Sequence, residues 1–94
     1  MTAHTAPTTT TWLARIHITL KAAVVDPQGN TILDALHQLH FDAVNGVRMG
    51  KYLEVTLEAV DENDATTQVD SMCQTLLANP VIEHYTFTIV TTAV

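Results

Sequence analysis

An α+β fold of four strands and two helices is what this 94-residue sequence predicts, and three observations predict it. Apolar residues recur at every second position in several stretches, which is the pattern of half-buried strands. In two others they recur at helical spacing. Glycine, proline, asparagine and aspartate punctuate the joins between these stretches.

The first strand starts at Trp12. Trp12, Ala14, Ile16, Ile18 and Leu20 alternate with Leu13, Arg15, His17, Thr19 and Lys21, and the strand is expected to end near Val24. Asp26-Pro27 then opens a helix: the carboxylate caps free N–H groups, and Pro27 takes the first helical position, where its missing N–H costs nothing. Asn30 and Thr31 are the other cap candidates. Ile32, Leu33, Ala35, Leu36 and Leu39 form one apolar stripe, expected to lie on the sheet, and the helix ends near His40.

Val44 to Val60 reads as a central hairpin, two strands joined at Met49-Gly50-Lys51. Leu53, Val55, Leu57 and Ala59 share one face of its second strand; Tyr52, Glu54, Thr56 and Glu58 share the other. Gly50 is read as the residue supplying a positive φ in a tight connection. Asp61-Glu62-Asn63-Asp64 suits the N-terminus of a second helix, where the macrodipole favours negative charge. Its stripe is Ala65, Val69, Met72, Cys73, Leu76 and Leu77, and Asn79-Pro80 stops it, because a residue before proline is driven out of the α region. Tyr85, Phe87 and Ile89 alternate through the last strand with His84, Thr86, Thr88 and Val90.

The order βαββαβ is that of a ferredoxin-like sandwich, a four-stranded antiparallel sheet with two helices on one face. The open face is expected to carry Arg15, His17, Thr19, Lys21, Glu54, Thr56, Glu58, His84, Thr86 and Thr88. Met1 to Thr11 is polar, aperiodic and contains Pro7, so residues 1–11 are assigned to a disordered extension and residues 12–94 to a single domain.

Composition narrows the function. A chain of this length builds one core without a deep private catalytic cavity, which favours a role with partners. A formal charge of -6 and a pI of 5.0 disfavour nucleic acid or an anionic membrane as ligand, since both are bound by clustered Lys and Arg. One cysteine, Cys73, excludes an internal disulfide. No apolar run approaches the ~20 residues that cross a bilayer. The reading is cytoplasmic.

Few residues suggest chemistry. His4, His17, His37, His40 and His84 share no metal-ligand spacing, and no metal is expected; Asp34 and His37 suit an ordinary helical pair. Cys73 lies on the apolar stripe with no base beside it, and reads as a buried thiol. Glu54 and Glu58 on a strand would stand about 13 Å apart, too far to act across one bond. No phosphate-binding glycine loop or catalytic serine motif occurs. Arg48-Met49-Gly50-Lys51 does stand out, since it holds half of the four basic residues of an acidic chain, and so do the turns Asp26-Pro27-Gln28-Gly29 and Asn79-Pro80.

In their order, Asp26-Pro27-Gln28-Gly29, Ile32-Leu33, Ala35-Leu36, Val47-Arg48-Met49-Gly50-Lys51-Tyr52 with Glu54, and Met72-Cys73 through Leu76-Leu77-Ala78-Asn79-Pro80-Val81-Ile82-Glu83 resemble the PurS family. PurS is the small subunit of phosphoribosylformylglycinamidine (FGAM) synthase in de novo purine synthesis. The resemblance spans Ile16 to about Phe87. One departure is Leu39-His40-Phe41, where the family usually has Leu-Gly-Phe; the same left-handed cap is expected there, on histidine.

The resemblance implies a subunit of an ATP- and glutamine-dependent C–N ligase with no active site of its own. A PurQ-type glutaminase releases ammonia, and a PurL-type synthase consumes it to convert formylglycinamide ribonucleotide to its amidine. PurS-like chains form homodimers or tetramers and bridge those two partners. ATP, Mg and glutamine are used by the partners, and no cofactor is expected on this chain. Arg48, Gly50, Lys51 and Tyr52 are the candidate partner-binding residues, with Lys51 and Arg48 meeting acidic or backbone acceptors. Asp26, Pro27, Gly29, Asn79 and Pro80 are assigned to turns and caps. The alternative is an ACT-like regulatory domain, which shares the element order and binds a small molecule near the loop entering its first helix. A free-standing enzyme ranks last, for want of a paired acid and base.

Overall fold

The computed structural model describes residues 8–92. Its elements run β1 (Thr10–Leu20), α1 (Pro27–Gln38), β2 (Gly50–Ala59), α2 (Glu62–Met72), a π-helical turn (Cys73–Leu77) and β3 (Glu83–Thr91). The fold is α+β, with β1 in the middle of a three-stranded sheet of order β2-β1-β3. Both neighbours run antiparallel to β1, Ile16 standing opposite Leu53 on one side and Phe87 on the other.

Alternation sorts the strands as expected. Ala14, Ile16 and Ile18 of β1 and Leu57 and Ala59 of β2 are buried on one face, where Ala65 and Val69 of α2 and Cys73 of the π turn cover them. Trp12, Leu53, Val55, Tyr85, Phe87 and Ile89 flank that core half-buried. The other face is open and carries Arg15, His17, Thr19, Tyr52, Glu54, Thr56, Glu58, His84, Thr86 and Thr88, all exposed.

Both helix starts are capped as the sequence indicates. Asp26 accepts from the Gly29 N–H at 2.9 Å with Pro27 at the first position, and Asp61 accepts from the Asp64 N–H at 2.7 Å. At the end of α1, His40 has φ 72°; its N–H donates to the His37 carbonyl and the Phe41 N–H to the Leu36 carbonyl, each at 3.0 Å. These are the two bonds of a Schellman cap, with histidine in the left-handed position glycine usually fills, at a cost of roughly 1–2 kcal/mol.

Several expectations are corrected. The four-stranded sheet and the central hairpin are absent among the described residues: residues 44–49 form no strand. The Met49 N–H donates to Asp26 at 2.7 Å and the Arg48 guanidinium donates to carbonyls of the β1–α1 turn, which ties this segment to that turn. Gly50 opens β2 opposite Thr19 and has no positive φ; a Cβ there would stand 2.6 Å from the Ile18 carbonyl oxygen, so close approach of the two backbones demands glycine.

The second helix does not keep one stripe to its end. It widens into the π turn, and the extra residue swings Leu76 to 81 % exposure while Leu77 stays half-buried. Among the described residues α2 and the π turn pack on the sheet, and α1 does not pack on it in the same way, with Ile32, Leu39 and Phe41 exposed. His37 does not pair with Asp34, and its ring N–H donates to the Val44 carbonyl at 2.7 Å. Finally, β1 begins at Thr10 and ends at Leu20, so residues 10 and 11 belong to the sheet; Thr9 and Thr11 both donate to Glu58. Met1 to Pro7 and the last two residues of the assigned 12–94 domain lie outside the described residues.

Candidate functional site

The three turns that stand out in the sequence meet at one end of the sheet. Register brings their anchors together: Ile18 pairs with Lys51, Thr19 with Gly50 and His84, and Leu20 with Glu83. Asp26 closes the first turn. Its carboxylate accepts from the N–H groups of Gly29 and Met49, and those two bonds, helped by the Arg48 charge, hold its pKa below the ordinary 3.8 although burial opposes them. Gly29 is required because a Cβ there would fall on the Val47 carbonyl and the Asp26 carboxylate.

Arg48 closes the same turn from the other side. Its guanidinium donates to the carbonyls of Val24 at 3.0 Å and Lys21 at 2.9 Å, with Leu20 at 3.5 Å. The Asn79-Pro80 turn is held likewise: Asn79 accepts from the Val81 N–H at 3.0 Å, and its own N–H donates to Glu83 at 2.6 Å. The Lys21 backbone N–H donates to the Ile82 carbonyl at 2.8 Å, fixing this turn to the end of β1. Glu83 is the hub, for its other oxygen stands 3.5 Å from the Lys51 ammonium.

A cleft of about 190 Å³ opens among these groups, lined by Ile18, Leu20, Asp26, Gln28, Met49, Gly50, Lys51 and Glu83. A neighbouring cleft of about 380 Å³ lies between Pro27, Gln28, Thr31, Ile32 and Met49. Gln28 and Met49 line both, so the two clefts adjoin at the base of α1.

The four candidate partner-binding residues are therefore divided. Gly50 and Lys51 line the cleft, and Arg48 is engaged with turn carbonyls beside it. Tyr52 lies on the open face, its ring 4.8 Å from His17 and its hydroxyl donating to Glu54 at 2.8 Å, a bond that raises the tyrosine pKa. Strand alternation separates it from Lys51. Asp26, Pro27, Gly29, Asn79 and Pro80 all sit in the turns assigned to them. Glu83 as hub and Asp26 as a double acceptor have no local sequence signal, because their partners lie at other points of the chain.

Elsewhere the polar groups serve the fold. The Tyr85 hydroxyl donates to Asp70 at 2.6 Å, tying β3 to α2 and raising the tyrosine pKa. Burial, with Asp70 adding to it, pushes the Cys73 thiol up, which opposes a thiolate nucleophile. Among the described residues, no group of three or more His, Cys, Asp or Glu is placed to hold a metal ion, and no helix is long and apolar enough to cross a membrane.

Comparison with known proteins places these features in a family. The profile described as "PurS: Phosphoribosylformylglycinamidine (FGAM) synthase" matches residues 13–91. The FGAM synthase subunit PurS of Synechocystis is 53 % identical over 75 residues, covering 80 % of this chain and 75 % of its own. The crystal structure of the purS subunit from Thermotoga maritima superposes with a TM-score of 0.81 at 29 % identity, over 88 % of this chain and 95 % of that one. A chain of the PurLQS structure from the same organism superposes at 0.78 with 30 % identity, over 85 % and 98 %. These likenesses give the ACT-like alternative no support. Matched along nearly its whole described length, this chain belongs to the PurS family of FGAM synthase subunits.

Proposed function

We propose that this chain works without an active site of its own, in the cytoplasm, bridging a PurL-type synthase and a PurQ-type glutaminase so that ammonia from glutamine reaches formylglycinamide ribonucleotide. ATP, Mg and glutamine are then handled by those partners. The observation that carries this reading is the match to a chain of the PurLQS structure over almost all of both lengths. The corner supports it: its hydrogen bonds hold Gly50 and Lys51 in fixed positions without assembling a nucleophile and base, which is a docking arrangement. Arg48 stiffens the corner, and Tyr52 serves contacts on the open face.

The apolar stripe of α1 supports self-association. Ile32 on α1 and Leu39 and Phe41 in the cap that follows it are exposed, and a second copy is the cover we assign to them, within a homodimer or tetramer. Reconstitution tests the bridging role. Mixed with the synthase and glutaminase of its own organism, the chain should be required for glutamine-fed amidine formation and should matter much less when ammonium salts supply the nitrogen. Equal glutamine-fed rates without it would reject the reading.

A further inference from the structure

We propose that Asn45-Gly46 is a site of self-modification: the Gly46 backbone nitrogen closes on the Asn45 side chain, ammonia leaves, and water opens the ring to isoaspartate or aspartate. Water is the co-reactant. The reaction needs neither partner subunit, and it lies beyond the bridging role.

Such a ring closure requires a backbone N–H free to lose its proton, no side chain crowding that nitrogen, and a main chain able to turn toward the amide. The loop between α1 and β2 meets all of these. Residues 44–49 form neither helix nor strand, and Asn45 and Gly46 are both exposed. Among the described residues neither the Gly46 N–H nor the Asn45 side chain has a hydrogen-bond partner. A Cβ on Gly46 would meet nothing within 4 Å and its φ is not positive, so the nitrogen stands in open space and the fold itself does not demand glycine there.

The other asparagines fail on one condition each. Asn30 is held inside α1 and precedes the β-branched Thr31. Asn63 lies in α2 before Asp64, whose N–H is taken by the Asp61 carboxylate at 2.7 Å. Asn79 precedes Pro80, which has no N–H. Gln28 also precedes a glycine, yet the Gly29 N–H is buried and donates to Asp26 at 2.9 Å, and the longer side chain would close a larger ring.

The steps balance. The Gly46 N–H gives its proton to solvent base, the nitrogen bonds to Asn45 Cγ, and the Cγ–Nδ2 bond breaks, the amide taking a proton from water to leave as ammonia. Water then adds to one of the two ring carbonyls. Breaking the new N–Cγ bond gives aspartate; breaking the original peptide bond gives isoaspartate, whose main chain runs through Cβ and Cγ. Either product adds one negative charge to the -6 of the chain, and isoaspartate also adds one carbon to the backbone.

That carbon enters a segment pinned at both ends. The Val44 carbonyl accepts from the His37 ring at 2.7 Å; beyond Val47, Arg48 donates to the carbonyls of Val24 and Lys21, and the Met49 N–H to Asp26. Residues 45–47 alone lie between the pins, so a lengthened backbone strains the bonds that close the corner.

The test follows the full chain in warm, mildly alkaline buffer by peptide mass spectrometry and anion-exchange chromatography. The peptide holding Asn45 should gain about 1 Da with time, first among the asparagine peptides, and faster as pH rises because the attacking nitrogen must lose its proton. Gly46→Ala should slow the gain about tenfold or more without lowering the melting temperature, since its Cβ meets open space. The separated isoaspartate form should melt about 2 °C or more below Asn45→Asp, which carries the same charge on an unlengthened backbone. Equal rates in Gly46→Ala and the unchanged chain, or an earlier gain at Asn30, Asn63 or Asn79, would overturn the site. Equal melts of the two charged forms would overturn the strain assigned to the pinned segment.

Discussion

Asp26 joins two segments far apart in sequence, capping α1 through Gly29 and holding Met49 at the entrance to β2. Both bonds favour the ionised carboxylate, so its pKa in the folded chain lies below the 3.8 of an ordinary aspartate. A carboxylate shifted in this direction stabilises the fold fully above its unfolded pKa, and the contribution is lost as pH falls from there through the lower folded value. Acid should therefore loosen the corner through this residue. Asp26→Asn should be less stable than the parent at pH 7, and the gap should narrow as pH falls below about 4. Urea melts at a series of pH values check this; a gap that stays constant with pH would show that the two bonds carry no linkage. Pro27 and Gly29, on either side of Gln28, act in the same small structure, one by fixing φ at the first helical position and the other by leaving room for Val47.

Between elements, the second helix shows how one inserted residue redirects a stripe. Read at a uniform helical period, Leu76 belongs to the core with Cys73; in the π turn it is among the most exposed apolar residues described. Leu76→Ala should then change stability by no more than about 0.5 kcal/mol, where a buried leucine would cost about 2–5 kcal/mol. Thermal melts of that single variant distinguish the two. The same contrast explains what the sequence could tell. The strands β1, β2 and β3, both helices and both aspartate caps were legible because each is written in residues within a few positions of one another. So was the left-handed cap at His40, where the resemblance pointed to a glycine position. Residues 44–49 were misread as a strand because Met49-Gly50-Lys51 was taken for a hairpin connection, while the bonds that decide their path run from Arg48 and Met49 to residues more than twenty positions away. The bonds of Glu83 to two of the three turns were hidden for the same reason.

At the scale of the molecule, one helix covers the sheet and the other projects from it with Ile32, and Leu39 and Phe41 beyond its end, exposed to water, an arrangement that leaves the single chain incomplete. If a second copy supplies the cover, association and folding are coupled, and the melting temperature must rise with protein concentration, because mass action favours whichever state binds a partner. Light scattering should give a multiple of the 10.3 kDa chain mass. Leu39 is the residue to change, since it is 66 % exposed at the end of α1 and its replacement disturbs few contacts within the chain. Leu39→Glu places a charge where the cover must be apolar, and burying an unpaired carboxylate costs far more than the leucine contact is worth. The variant should scatter as a smaller species, melt at a temperature that no longer depends on concentration, and keep the circular dichroism of the folded chain. A parent chain that scatters at 10.3 kDa and melts independently of concentration would mean that α1 stands uncovered until the larger partners arrive, and self-association would then have no part in the bridge.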